Sequence, residues 1–294
     1  MPATTVHLVD ASPYIFRSFF VMPSSMVDPE GRPVGAVHGF ASFLLKLIDG
    51  EDPSHLGVAF DESLSTSFRN DRYPEYKAQR ELPPPELEAQ QKACQDVARA
   101  LGAVVWVSER YEADDLIGTA LAQLPKKTGA VIVSSDKDLA QLVNERVTFY
   151  DFARDRKFGP SEVVDKFGVR PDQLVDLLAL AGDSVDNIPG VRGVGQKTAA
   201  ALLQARENLD ALYADLAAVE ELPLRGARSV AKKLDASRAD AFLSRELATV
   251  ARDAPIEVTL DDLAYQGADP ELVTQTFDRL GFDTLRDRIR RWRS

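Results

Sequence analysis

Apolar residues follow two different rhythms along this chain. In the first half, short apolar runs alternate with longer amphipathic stretches. VHLVD, HLGVAFD, AVVWVS and AVIVSS read as buried strands, and VTFYDF as a further one. Amphipathic helices are expected between them near 36–48, 85–101 and 112–123. Alternation of this kind predicts an α/β fold with a mainly parallel, doubly wound sheet. From about residue 160 the rhythm turns helical. SEVVDKFG and PDQLVDLLALAG predict short helices, and IPGVRGVGQKTAAALL predicts a helix–hairpin–helix. Further helices are expected to the C-terminus, with LPLRGARSV as a linker or turn and PIEVTL as an isolated late strand. The chain therefore divides into a core over 1–158 and a helical region over 159–294, with the hairpin unit near 172–204.

Residues 62–84 fit neither rhythm. They are polar, basic and aromatic, and a triple proline stops them. So long a connection inside a compact domain is usually functional or disordered.

Carboxylates recur where apolar runs stop or helices begin. They are Asp10 in HLVDAS, Asp61 in GVAFDE, Glu112, Asp114 and Asp115 in RYEADDL, Asp136 and Asp138 in VIVSSDKDL, and Asp183 and Asp186 in AGDSVDN. In doubly wound sheets ligands bind beyond the carboxyl ends of the strands, so acids distant in sequence would meet at one edge. Each cluster alone has an ordinary explanation: Asp favours turns and helix N-caps, and acids in a first turn complement the helix dipole. Five clusters in one order are better explained by a shared site. Glu112 and Asp115 fall on one helix face, with Asp114 elsewhere. Asp136 and Asp138, read as an extension of the strand, would point to one side. So many acids would repel unless cations sat among them, and all-oxygen ligand sets select Mg²⁺ or Mn²⁺. Two such ions suit phosphodiester hydrolysis.

Composition narrows the alternatives. Cys94 is the single cysteine, which excludes a disulfide framework and a Cys₄ zinc site. His7, His38 and His55 lack metal-ligand spacing. MPATTVHLVDAS has neither a basic leader nor a long apolar run, and no stretch is apolar enough to span a membrane, so the chain reads as soluble and cytoplasmic. The net charge of −11 argues at first against nucleic acid. Two bound divalent ions would cancel about four negative charges where a phosphate must approach, and Arg69, Arg72, Lys77 and Arg80 crowd into twelve positions.

The basic stretch SFRNDRYPEYKAQR reads either as a solvated loop or as a single-strand surface, with Phe68, Tyr73 and Tyr76 stacking bases beside cations that hold phosphates. Arg17, in YIFRSFF, is either a phosphate contact or a plain surface charge. GVRGVGQKT departs from a nucleotide-binding loop, because Gln196 separates glycine from lysine and no strand precedes it. It reads better as a hairpin in which Gly190, Gly193 and Gly195 let backbone N–H groups approach a phosphate, with Lys197 and Thr198 at a helix N-terminus. A plain helix–turn–helix packing unit is the other reading.

Taken in order, VDAS, FD, YPEYKAQR, YEADD, SSDKDL, GDSVDNIPGV and RGVGQKTA resemble the bacterial 5′→3′ exonuclease family, which takes in the nuclease region of DNA polymerase I, phage 5′-nucleases and, more distantly, flap endonucleases. The resemblance runs from about residue 5 to 220, and with no polymerase region after Ser294 the chain is similar to a stand-alone member. It implies a PIN-like core with a helical arch near 62–84 and a helix–hairpin–helix. Asp10, Asp61, Glu112 and Asp114 would surround one metal. Asp136, Asp138, Asp183 and Asp186 would hold or adjoin the other, with Asp115 between. Lys77, Arg80 and Arg17 would meet the reacting phosphate, and Arg69, Tyr73 and Tyr76 the single strand. Gly190 to Thr198 would bind duplex, where the family can hold K⁺ through backbone carbonyls. VDAS replaces the commoner VDGS, and GDSVDN is kept where a related bacterial branch has lost its last aspartates. The expected substrates are DNA 5′ ends and 5′ flaps, with RNA primers as a further class, acted on by a monomer. Two rivals remain: a metal-dependent phosphatase with Asp10 as nucleophile, and a non-catalytic DNA-binding paralogue.

Overall fold

A computed structural model describes residues 4–294 apart from 24, 63–65 and 82, so part of the expected arch segment lies outside the described residues. The first half contains β1 (Thr5–Asp10), α1 (Ser12–Val21), α2 (Gly35–Glu51), β2 (Leu56–Asp61), α3 (Phe68–Arg72), α4 (Pro85–Ala100), β3 (Val104–Ser108), α5 (Ala113–Gln123) and β4 (Gly129–Val133). β5 (Val147–Asp151) and a short β6 (Arg156–Phe158) complete the sheet. The order is β3-β2-β1-β4-β5-β6, parallel throughout except that β6 runs antiparallel to β5.

β1 lies between β2 and β4, so the chain builds outward from it in both directions. The crevice at such a reversal is where doubly wound sheets bind ligands. Val9 is in register with Val133, and Asp10 with Ala59. Alternation along β1 feeds two cores. Val6 and Leu8 pack with Leu116 and Ile117 of α5, whereas Val9 packs with Phe40 and Leu44 of α2.

The second half contains α6 (Pro160–Phe167), α7 (Leu174–Ala181), α8 (Gln196–Arg206), α9 (Leu209–Ala214), α10 (Ala227–Ala236), α11 (Arg238–Ala248), α12 (Pro270–Leu280) and α13 (Asp283–Arg286). Residues 222–226 are the turn expected of LPLRGARSV, and α10 takes up its remainder.

Two expectations need correction. PIEVTL forms no strand. The Gln123 side-chain amide donates to the Ile256 carbonyl at 2.8 Å and accepts from the Val258 N–H at 2.7 Å, standing in for a neighbouring strand. The helical region also does not stay together. Phe277, Phe282, Leu285 and Ile289 return to pack in the same core as α2 and α4. No helix among the described residues is long and apolar enough to cross a membrane.

Candidate active site

Strand ends deliver the first two acids. Asp10 terminates β1 and is buried; it accepts hydrogen bonds from the Ser134 hydroxyl at 2.7 Å and the Ser12 N–H at 3.1 Å. Asp61 terminates β2. Both line a cavity of about 580 Å³ together with Glu112, Asp114, Asp136, Lys77 and Arg80. Residues from five separate stretches of sequence therefore meet at the carboxyl edge of the sheet.

Glu112 caps the N-terminus of α5, as the RYEADD pattern requires. Asp114, in the first turn, faces the cavity. Asp136 and Asp138 are placed differently from expectation: β4 stops at Val133, and Asp136 instead caps a 3-10 turn over Lys137–Leu142, accepting from the Asp138 N–H at 2.9 Å. An aspartate at a cap stabilises the turn more than it would an extended strand. Asp183 and Asp186 lie in a tight loop after α7, where the Asp183 carboxylate accepts from the Val185 N–H at 2.7 Å.

Basic side chains already occupy several of these acids. Lys77 Nζ is 2.6 Å from Glu112 Oε2 and 3.7 Å from Asp186 Oδ2, and Arg80 pairs with Asp186. Lys137 Nζ is 2.5 Å from Asp183 Oδ2 and 3.6 Å from Asp138 Oδ1. Among the described residues, no three carboxylates lie close enough to hold an ion as they stand. The lysines and Arg80 instead draw individual acids aside.

The donor set nevertheless fits a hard divalent cation. Burial pushes the Asp10 carboxyl up to about 7, with Asp136 and Asp61 adding to the shift. Burial and the charge on Asp136 likewise raise Asp138 to about 7, and Asp114 rises well above the ordinary range for the same causes. Asp138 Oδ1 is buried without a hydrogen-bond partner. Acids crowded so that each resists ionisation, with an oxygen left unsatisfied, form a ligand set short of positive charge. Glu112 differs. Burial opposes its charge, but Lys77 and Arg69 hold its pKa below the ordinary value.

A family model for the 5′-3′ exonuclease N-terminal resolvase-like domain matches residues 5–168. The chain belongs to the 5′-3′ exonuclease family. The family's C-terminal SAM fold matches residues 169–271. DNA polymerase I of Bacillus subtilis (strain 168) is 40% identical over 291 residues, covering 96% of this chain and 32% of that protein. DNA polymerase I of Pseudomonas aeruginosa is 42% identical over 262 residues, covering 88% of this chain and 28% of that protein. The chain thus spans about a third of the length of the curated relatives it matches. Among solved structures, T5 5′-exonuclease with bound zinc aligns with a TM-score of 0.67 at 20% identity, over 94% of this chain and 99% of that one. The catalytic core of Rad2 with DNA substrate aligns with a TM-score of 0.62 at 14% identity, over 98% and 92%. At those identities the likeness establishes the fold.

Several expected contacts turn out to serve the interior. Arg69, expected on the DNA, is 3% exposed, and Asp115, expected beside the metals, is 0% exposed. They form a two-pronged ion pair at 2.7 and 2.8 Å. Arg69 also donates to the Leu247 and Thr249 carbonyls, while Asp115 accepts from the N–H groups of Glu112 and Ala251. Both carboxylate oxygens accept two hydrogen bonds each and four of the five guanidinium N–H groups are engaged, so the pair is turned inward rather than toward a phosphate or a metal. The pair ties the start of the arch segment to α5 and to the chain beyond α11.

Removing one member of a buried pair strands the other charge. Asp115→Ala is therefore expected to lower stability by about 3–5 kcal/mol, read as a drop in the urea midpoint. The paired replacement Arg69→Met with Asp115→Leu should recover much of the loss. A midpoint unchanged in Asp115→Ala would show that the pair contributes nothing net.

Tyr76, expected to stack on bases, is 3% exposed, and its hydroxyl donates towards Glu112 and Asp186 at 3.3 Å. Phe68 packs against Tyr111 and under the Arg69 guanidinium. Tyr73 is half-buried beside Tyr76 and Leu247. Arg72 pairs with Glu246 at 3.0 Å. Arg17 does not reach the acidic cavity; α1 presents it to a different one. Of the basic stretch, Lys77 and Arg80 are the cations that line the acids, held by successive turns in which Lys77 adopts a left-handed φ of 55°. Ser134 and Lys137 had not been singled out. Lys137 was visible in sequence as the cation inside Asp-Lys-Asp; Ser134 required the register of β1 with β4.

The hairpin joins α7 to α8 as expected. Gly190 has φ of 62°, and a Cβ there would fall 2.3 Å from the Gly182 backbone nitrogen, so only glycine fits. Gly193, Gly195 and Lys197 are exposed at the tip and Thr198 is half-buried in the first turn of α8. Lys233 donates to the Gly193 carbonyl at 3.1 Å, which adds a second cation to the tip. Gly193→Asp places a carboxylate beside Lys233 at a φ that Asp tolerates better than most residues. The variant is expected to fold, to bind duplex more weakly, and to show a salt slope shallower by about 1, the signature of one lost phosphate contact. An unchanged slope would leave the hairpin as a packing unit.

Proposed function

We propose that this protein hydrolyses DNA phosphodiesters at 5′ ends and 5′ flaps, leaving 5′-phosphate products, with Mg²⁺ or Mn²⁺ held by the acids of the sheet edge. The observation that carries this reading is the meeting of Lys77 and Arg80 with Asp10, Asp61, Glu112, Asp114 and Asp136 around one cavity. Membership of the 5′-3′ exonuclease family supports it. So do the related folds, T5 5′-exonuclease with bound zinc and the catalytic core of Rad2 with DNA substrate. RNA primers as substrates, K⁺ at the hairpin backbone and action as a monomer belong to the same proposal and rest on the family resemblance. A division into a core over 1–158 and a helical region over 159–294 belongs to the same proposal, with α12 and α13 packing back against the core.

Asp10, Asp61, Glu112 and Asp114 would hold one ion, and Asp136, Asp138, Asp183 and Asp186 would hold or adjoin another. Divalent ions bound there would make a water nucleophilic near neutral pH and would polarise the phosphoryl group. The protein's own groups do the rest. Lys77 holds its proton at the cavity: burial opposes its charge, yet Glu112 and Asp186 hold its pKa well above the ordinary value. It and Arg80 then face the charge that develops on the phosphate. The Gly190–Lys197 hairpin anchors the duplex at a distance, so that the reacting bond is presented to the acids rather than found by chance.

The test is a 5′-labelled flap duplex incubated with Mg²⁺ or with EDTA, beside a small chromogenic phosphate monoester. Metal-dependent release of a short labelled fragment with no hydrolysis of the monoester is expected. Turnover of the monoester with intact DNA would favour the phosphatase instead.

A further inference from the structure

α1 separates the acidic cavity from a second one of about 490 Å³. Ser12, Pro13 and Phe16 line the first, whereas Tyr14, Arg17 and Ser18 line the second. The helical period puts these sets on different faces. α2 and the segment following α13 close the second cavity from the other sides. Each of the three elements brings a cation to it: Arg17, Lys46 and Arg288. All three are exposed.

These cations differ from those at the acids. Lys77, Arg80 and Lys137 each have a carboxylate partner. Among the described residues, Arg17, Lys46 and Arg288 have none. Arg288 makes only long contacts with Ser42, at 3.4 and 3.5 Å, and Lys46 lies 5.6 Å from the centre of the Phe152 ring. Acids outnumber Lys and Arg in the chain by 46 to 35, so a hollow that gathers three cations and whose described lining holds no carboxylate departs from the average surface. The nearby Asp151 is already paired with Arg154 at 2.7 Å.

The lining beneath them is aromatic. Phe43 meets Phe152 edge-on at 5.3 Å and carries Tyr14 stacked on its face at 3.7 Å. His38 also lines the cavity, and its Nδ1 is buried without a hydrogen-bond partner. Cations at a rim over aromatic and polar groups are the equipment for a phosphate joined to a sugar and base. The volume suits a ligand of that size.

We propose that this cavity takes one nucleotide unit of the DNA strand leading away from the cleavage site, its phosphate between Arg17, Lys46 and Arg288. The proposal rests on the nuclease reading above and adds a second anchoring point to it. The spacing is suitable: one helix is about 10–12 Å across, which a B-form strand covers in about three steps. Arg17 thereby acts on substrate position rather than at the reacting phosphate.

The test uses the full chain with Lys46→Gln and Arg288→Gln combined, two surface changes that leave the core untouched. Flap-duplex affinity is measured by fluorescence anisotropy across a salt series with Ca²⁺ replacing Mg²⁺, and single-turnover cleavage is followed separately in Mg²⁺. The slope of log K against log salt should become shallower by up to about 0.9, the counterion release expected of the one phosphate held between these cations. The cleavage rate of bound DNA should change less than the affinity does. An active wild type whose slope is unaltered in the double variant would overturn the proposal alone. So would a deoxynucleoside monophosphate that binds the wild type but not the variant while the DNA slope stays the same, because the cavity would then serve free nucleotide. A wild type that neither binds nor cleaves flap DNA would defeat the nuclease reading, and this proposal with it.

Discussion

Asp136→Ala is expected to abolish DNA cleavage while leaving duplex binding within a few-fold. Asp136 faces the cavity shared by Asp10, Asp61 and Asp114, and its charge contributes to the raised pKa of Asp10, Asp114 and Asp138. It is therefore electrostatically in contact with the whole set. Removing it takes away a metal ligand and one source of repulsion toward DNA, so binding is held or slightly strengthened. The side chain also caps the turn over Lys137–Leu142, and losing a cap costs about 1 kcal/mol. Asp136→Asn separates these effects, because asparagine caps as well as aspartate but is a poor ligand for a hard cation. If Asp136→Asn cleaves at the wild-type rate, the residue belongs to the turn and not to the chemistry. Asp183→Ala should behave like Asp136→Ala, with the added consequence that Lys137 loses its nearest carboxylate.

Lys77→Ala is expected to lower kcat by about 10²–10³ if its role resembles that of one oxyanion donor. A cation that answers charge developing during reaction contributes more to the transition state than to the bound substrate. The affinity for flap DNA should consequently move much less. The structure shows why the residue is committed to this place. Its backbone is left-handed, its N–H donates to the Asp186 carbonyl at 3.0 Å, and its ammonium rests on Glu112. Arg80→Ala should act in the same direction more weakly, since Arg80 is exposed and holds Asp186 and the Val185 carbonyl but not Glu112. The double variant should lose less than the product of the two, as neighbours serving one phosphate are coupled. Single-turnover cleavage and binding in Ca²⁺ measure the two terms. A Lys77→Ala protein that binds poorly but cleaves bound DNA normally would make Lys77 an anchor.

What could be read from sequence followed from local chemistry. Buried parallel strands announce themselves as unbroken apolar runs, and an aspartate that ends one must lie at the sheet's carboxyl edge; Asp10 and Asp61 are legible for that reason. Glu112 and Asp114 follow from the first-turn pattern of a helix. Asp115 was misjudged because a carboxylate bound for a metal and one bound for a buried arginine look the same in sequence. Its partner Arg69 is 46 positions away, and apart from the Glu112 N–H the remaining bonds of the pair come from residues near 250. Tyr76 was misjudged similarly, since an aromatic beside cations suits a stacking platform until packing hides it. The return of α12 and α13 to the sheet, and with it the placing of Arg288 beside Arg17 and Lys46, depends on long-range packing that no local pattern signals.

The central claim is that the strand-end acids form a binding place for divalent ions. Titration of the protein with Mn²⁺, followed by electron paramagnetic resonance of the free ion, tests it without any assumption about substrate. The account predicts at least two bound ions per chain in the wild type and fewer in Asp136→Asn, with the fold unchanged. A wild type that leaves Mn²⁺ free at millimolar protein, or a variant that binds as many ions as the wild type, would contradict it.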